Sequence, residues 1–116
     1  AAEATFTFML AFVVLAVATT TPSSVSTKQN FQFALAIGAC VTAGGFAIGA
    51  ISGGSLNPAV SWGIATANLV HNGGVAESHW HNCLWFSLFE FTGGLLAAIM
   101  FRTTHVHEYQ KKSYDY

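Results

Sequence analysis

Long apolar runs separated by short polar stretches dominate the chain. We assign three of them, at about residues 4–19, 31–51 and 80–101, as membrane spans, because a bilayer core of about 30 Å takes roughly 20 helical residues. A secretory signal peptide is an alternative for the first run, but that run lacks a basic leader and begins beside Glu3. A buried helix of a soluble protein is an alternative for any single run. Three such runs in succession favour an all-α membrane protein.

A fourth, shorter apolar segment begins at Asn57 and extends to about residue 68. Asn is a favoured N-cap and Pro58 suits the first helical position, so this dipeptide predicts a helix start. The segment would cross about half a bilayer, which predicts a re-entrant half-helix after the Gly-rich residues 51–56. Its N-terminus would then bring partial positive charge and the Asn57 amide to the membrane centre. The alternative is an ordinary helix start, where Asn-Pro-Ala is a common tripeptide.

Composition and charge support a membrane protein and exclude other classes. Of the 116 residues, 53% are apolar and 8% charged, which excludes disorder. No basic surface is expected to bind nucleic acid, because four Lys and Arg oppose five Asp and Glu. All the basic residues fall in the first loop or towards the C-terminus, which predicts that the tail, 105–116, lies on the cytoplasmic side. They are Lys28, Arg102, Lys111 and Lys112.

Catalytic and metal-binding patterns are not evident. No nucleophile with a base, phosphate-binding loop or usable carboxylate pair is recognisable, so we expect no enzyme and no cofactor. The histidines of residues 79–81 and 105–107 alternate with other residues, a spacing that does not chelate in regular structure, so we expect no metal. Cys40 and Cys83 are interpreted as small core residues.

Several segments resemble the major intrinsic proteins, the aquaporin and glycerol-channel family. Residues 52–60, SGGSLNPAV, are similar to its signature loop, with Asn57, Pro58 and Ala59 as the Asn-Pro-Ala motif. AEATFTF at 2–8 and VVLAVAT at 13–19 resemble the family's fourth helix, FALAIG at 33–38 its fifth, and FTGGLLAA at 91–98 its sixth.

The resemblance covers only the second of the family's two repeats. It implies half of an aquaporin-like fold in residues 1–104, with three transmembrane helices and a half-helix at 57–68. In the family, a buried acid at the position of Glu3 holds the re-entrant loop through backbone N–H groups. The implied partners are membrane lipid and a complementary half-repeat or other membrane subunits, so we expect an oligomer or complex. The missing initiator methionine favours a fragment or processed chain.

Three departures from the family pattern concern which solutes could pass through a pore. Val60 stands where the second repeat usually has Arg, while Gly45 and Gly54 occupy the other constriction positions. The resemblance therefore implies a wide, uncharged wall that suits small neutral solutes as well as water. Because Val after Asn-Pro-Ala is usual in the first repeat, a first-half assignment stays open.

Glycines and one acid in the spans have further interpretations. Gly49, Gly93 and Gly94 suit close helix packing, with solute lining as the alternative for Gly49. Glu90 lies in mid-span, where an unpaired carboxylate is costly. We favour a protonated acid bonded to a neighbouring helix carbonyl. A ligand for a metal-centred pigment and a contact to a partner subunit are the alternatives.

Two functions stay open. The first is a channel half that passes water or small neutral solutes once a second half completes the pore. The second is a non-conducting, aquaporin-derived subunit of a larger respiratory or photosynthetic membrane complex, which the absence of Arg at Val60 and the presence of Glu90 favour. Fold alone does not decide between them.

Overall fold

The computed structural model describes residues 1–20, 31–73 and 81–107, with the side chains of residues 31 and 32 excepted. Within these ranges the chain forms four helices and no strand, which agrees with the predicted all-α class. They are α1 (Ala2–Ala18), α2 (Phe31–Ser52), α3 (Pro58–His71) and α4 (Asn82–Thr104). The predicted connections at 20–30 and 71–81 and the tail at 105–116 lie largely outside the described residues.

Helix lengths differ from the predicted spans. Phe33–Ser52 and Asn82–Thr104 are long and apolar enough to cross a membrane. Helix α1 is a shorter apolar helix, whose 17 residues extend for about 26 Å, so a third membrane span stays a prediction. The third span was predicted at 80–101, but α4 begins at Asn82 and ends at Thr104.

Helix α3 is longer than the 57–68 segment that the sequence predicts. It contains 14 residues and continues past residue 68 to His71. It ends where Asn72 caps it and Gly73 adopts a φ of +67°, a conformation that glycine accepts readily.

Helix α1 packs most extensively against α4, and also against α2, while α3 packs against α4. Gly93 lies at the crossing of α1 and α4, where a Cβ atom would collide with the Ala4 carbonyl oxygen and lie 3.0 Å from the Phe8 amide nitrogen. The predicted packing role of Gly93 is therefore confirmed. A Cβ atom at Gly54 would lie 3.7 Å from the Gly49 Cα atom, so the loop between α2 and α3 approaches Gly49, while a Cβ atom at Gly94 would meet nothing within 4 Å among the described residues. The packing roles of Gly49 and Gly94 between helices stay predictions.

The interior of this bundle is unusually polar and its surface unusually apolar. Among the described residues, five polar or charged side chains are buried: Glu3, Thr7, Ser61, Ser87 and Glu90. Large apolar side chains point outward instead, among them Phe46, which is 89% exposed, and Ile51, which is 74% exposed. A soluble monomer rarely exposes so much contiguous apolar surface, so these faces suit lipid or another apolar helix.

Candidate functional site

The 53–57 loop connects α2 to α3 through a series of left-handed backbone conformations. Gly53 has a φ of +89°, Gly54 of +64° and Leu56 of +54°. Glycine adopts such angles at little cost, whereas a non-glycine residue does so rarely. The conformation of Leu56 therefore has to be maintained by contacts with the rest of the molecule.

Two glycines of α2 provide the surface on which this loop packs. Leu56 is buried, and a Cβ atom at Gly44 would lie 2.8 Å from its Cδ1 atom. A Cβ atom at Gly54 would lie 3.3 Å from the Gly45 Cα atom. The structure thus brings together Gly45 and Gly54, two of the three constriction positions from the sequence analysis. The third, Val60, is 43% exposed in the first turn of α3.

Asn57 begins α3 as predicted. Its φ of −155° and ψ of 124° are extended, and its Oδ1 atom accepts a hydrogen bond of 2.9 Å from the Ala59 N–H. Pro58 occupies the first helical position, where its missing N–H costs nothing. The side-chain oxygen is engaged in the cap. The amide nitrogen, which is a donor, is therefore the side-chain group that Asn57 can offer to another molecule.

The buried carboxylate of Glu3 reaches this loop from α1. Its Oε2 atom accepts a hydrogen bond of 3.0 Å from the Leu56 N–H, and its Oε1 atom accepts one of 2.6 Å from the Ser52 hydroxyl. Its side chain is 3% exposed. The Glu3 carboxylate therefore satisfies the backbone N–H of Leu56, the residue with the left-handed backbone conformation.

A second carboxylate, Glu90, reaches the loop from α4. Its Oε1 atom accepts hydrogen bonds from the Asn57 N–H at 3.1 Å and the Ser55 hydroxyl at 2.5 Å, and the Ser61 Oγ atom lies 3.0 Å from it. Its side chain is 1% exposed, and its Oε2 atom has no hydrogen-bond partner among the described residues.

The favoured interpretation of Glu90, an acid bonded to a helix carbonyl, is therefore wrong, because its partners are the donors of the loop and of the first turn of α3. A mid-span acid needs polar partners, and the nearby loop offers unpaired backbone and hydroxyl donors, which is the signal that could have indicated these contacts from the sequence.

Ser55 links the two acids. Its Oγ atom lies 2.5 Å from Glu90 Oε1 and 3.5 Å from Glu3 Oε2, and the Ser61 Oγ atom lies 2.8 Å from it. A hydroxyl has one proton to donate, and the shorter distance assigns it to Glu90. Carboxylates from α1 and α4 thus converge on one loop through a shared serine.

A cavity of about 230 Å³ lies between the loop, α3 and the start of α4. This volume has room for several water molecules. Ser55 and Ser61, whose hydroxyl oxygens lie within hydrogen-bond distance of Glu90, are part of its wall. Polar groups also come from Ser52, Asn68 and Asn82.

Within the described ranges, no group of three or more His, Cys, Asp or Glu side chains could hold a metal ion. Cys40 and Cys83 are both free thiols. His79 lies outside these ranges, and His81 and His105 flank the two ends of α4.

Comparison with known families agrees with the resemblance carried by residues 52–60. The family model described as Major intrinsic protein matches residues 1–101. The match includes the loop, all four helices up to residue 101 and both buried acids. No curated protein and no solved structure matches the chain.

Proposed function

The chain belongs to the major intrinsic protein family, and from that premise we propose that it forms half of an aquaporin-like channel for water or small neutral solutes. Membership makes it an integral membrane protein of the channel type and not an enzyme. The apolar helices Phe33–Ser52 and Asn82–Thr104 fit that assignment.

The hydrogen-bonded loop at the start of α3 is the observation that carries this proposal. Buried acids from α1 and α4 bond to the backbone N–H groups of Leu56 and Asn57. Irregular backbone at membrane depth is tolerated where protein satisfies its polar groups, as these acids do. The exposed N-terminus of α3 and the Asn57 amide then form one wall of a pore.

A complementary half supplies the other wall. We propose that α1, α2 and α4 span the bilayer and that α3 is re-entrant, as in the second repeat of the family. A first-repeat origin remains the alternative. Membrane lipid and that second half cover the exposed apolar faces, and the tail lies on the cytoplasmic side.

We propose that Gly45, Gly54 and Val60 line the constriction. Gly45 and Gly54 are in contact and add no side chain, while Val60 is apolar and partly exposed. Such a wall neither narrows the passage nor donates hydrogen bonds, so small neutral solutes pass as well as water.

Replacing Asn57 by Asp tests the channel directly. Aspartate is an equally good N-cap, so α3 should still form, but the amide donors to the permeant are lost. We expect glycerol flux into proteoliposomes to fall by about tenfold, which corresponds to one lost hydrogen bond of about 1.4 kcal/mol. Stopped-flow light scattering on the intact protein that carries this chain measures that flux.

Asn72→Asp is the matched control, because it makes the same chemical change at the exposed C-cap of α3, a position that does not line the cavity. It should leave glycerol flux close to that of the unmodified protein. Equal flux in all three samples would exclude Asn57 from the solute path. If the unmodified protein conducts no more than empty vesicles, the channel proposal fails and the non-conducting subunit replaces it.

A further inference from the structure

The placement of α3 depends on α4. In residues 1–20, 31–73 and 81–107, α3 packs against α4 and against no other helix. Ser61, at the end of the first turn of α3, lies within hydrogen-bond distance of Glu90 on α4. The direction of α3, and with it the position of the Asn57 amide at its start, is therefore set from the α4 side.

Glu90 holds the start of α3 at three points through one oxygen atom. Its Oε1 atom accepts from the Asn57 N–H at 3.1 Å, and the Oγ atoms of Ser55 and Ser61 lie 2.5 and 3.0 Å from it. These groups belong to the loop, to the N-cap residue and to the first turn of the helix. One buried side chain thus fixes all three relative to α4, whereas the contacts of Glu3 all precede Asn57 in the chain.

Asn57 is held at both its backbone and its side chain. Its N–H is bonded to Glu90, and its Oδ1 atom accepts from the Ala59 N–H at 2.9 Å. Pro58 continues the chain with a φ that its ring fixes. The amide nitrogen that remains for a solute therefore has one defined position, which shifts if the bond to Glu90 is lost.

This role does not depend on a charge at Glu90. A carboxyl oxygen accepts hydrogen bonds whether the group is ionised or carries a proton on its other oxygen. That other oxygen, Oε2, is buried and has no partner in the described part of the chain, and the Glu90 side chain does not line the cavity. Glu90 therefore acts on a solute through Asn57 and not by touching the solute.

We propose that Glu90 is a positioning residue for Asn57: it directs the Asn57 amide nitrogen into the passage and thereby sets how well the passage accepts solutes larger than water. This inference rests on the proposed channel function. A polyol cannot turn within a passage as freely as water, so it depends more on the placement of a fixed donor. The resemblance to the family placed an acid that holds the loop at Glu3 alone, and the contacts of Glu90 add a second one on α4.

The experiment measures the ratio of glycerol to water flux in proteoliposomes that contain the intact protein carrying this chain. The ratio does not depend on how many channels are folded, so a purely structural defect leaves it unchanged. Glu90→Leu removes the acceptor, and we expect the ratio to fall by about tenfold, the effect of one hydrogen bond. Glu90→Gln keeps an acceptor oxygen, so its ratio should stay within about twofold of that of the unmodified protein.

Two further variants test whether Glu90 acts through Asn57. Ser87→Ala is the matched control, because Ser87 is buried on α4 and its hydroxyl donates to the Cys83 carbonyl oxygen of the same helix. Its ratio should not change. Glu90→Leu combined with Asn57→Asp should lower the ratio no further than Asn57→Asp alone, because the effects of coupled residues are not additive.

If Glu90→Leu does not assemble, Ser61→Ala breaks the link between α3 and α4 with the acid in place, and it should also lower the ratio. Equal ratios for Glu90→Gln and Glu90→Leu overturn the inference, as do additive effects in the double variant. A ratio that neither Glu90→Leu nor Ser61→Ala lowers overturns it too and leaves the channel proposal standing. If the unmodified protein passes neither glycerol nor water faster than empty vesicles do, the channel proposal fails, and this inference fails with it.

Discussion

Gly93→Ala is expected to separate α1 from α4 and to destabilise the purified protein. The added methyl group would collide with the Ala4 carbonyl oxygen, which belongs to the backbone of α1 and cannot rotate away. Overpacking of this kind costs about 1–3 kcal/mol. The displaced α1 also carries Glu3, so the hydrogen bond from Leu56 should weaken as well. Thermal unfolding in detergent measures the effect as a lower Tm.

Gly94→Ala is a demanding control for this prediction. The two glycines are adjacent on α4, but a Cβ atom at Gly94 meets nothing within 4 Å. Alanine is favoured over glycine within a helix by about 1 kcal/mol, so this variant should be as stable as the unmodified protein or more so. Equal Tm values for the two variants would show that α1 and α4 do not approach closely at Gly93.

Glu3→Ala is expected to release the loop. It leaves the buried Leu56 N–H without its acceptor, while the Ser52 hydroxyl can turn to the Ile48 carbonyl oxygen 3.4 Å away. One unsatisfied buried donor costs about 1–3 kcal/mol, and the left-handed Leu56 loses the contact that helps to maintain its backbone conformation. Hydrogen–deuterium exchange, followed on a peptide covering residues 52–61, should be markedly faster than in the unmodified protein.

Glu3→Gln separates hydrogen bonding from charge at this position. Its amide oxygen can still accept from the Leu56 N–H, and its nitrogen can donate to the Ser52 oxygen. Exchange should therefore be intermediate, closer to that of the unmodified protein than to that of Glu3→Ala. The same slow exchange in all three proteins would contradict a role for Glu3 in ordering the loop.

The helices and the start of α3 were accessible from sequence because local features specify them. Apolar runs bounded by polar stretches indicated α2 and α4 to within a few residues. Asn57 and Pro58 satisfy a local capping rule, which holds whatever the rest of the chain does. The end of α3 was harder to predict from the sequence, because the feature that marks it, Gly73, lies beyond the last residue of the helix.

The contacts around the loop depend on how separate helices pack against one another, which the pattern of apolar and polar residues along the chain does not specify. Glu90 and Asn57 are 33 residues apart, and Glu3 and Leu56 are 53 apart. The resemblance suggested the second pair, because the family has an acid at that position. It suggested no role for Glu90. The packing of Leu56 against Gly44 was not predicted either, because it depends on how closely the loop approaches α2 in the folded chain.

The bonds from Glu90 to the loop also set an order of events during biosynthesis. Ser55 and Asn57 are synthesised before α4, so their bonds to Glu90 cannot form until 33 to 35 further residues have been added. At translation rates of about 5–20 residues per second, this interval lasts on the order of seconds. Glu3 precedes the loop in the chain and is already present during this interval, so the N-terminal helix supports the nascent turn before the C-terminal helix closes it.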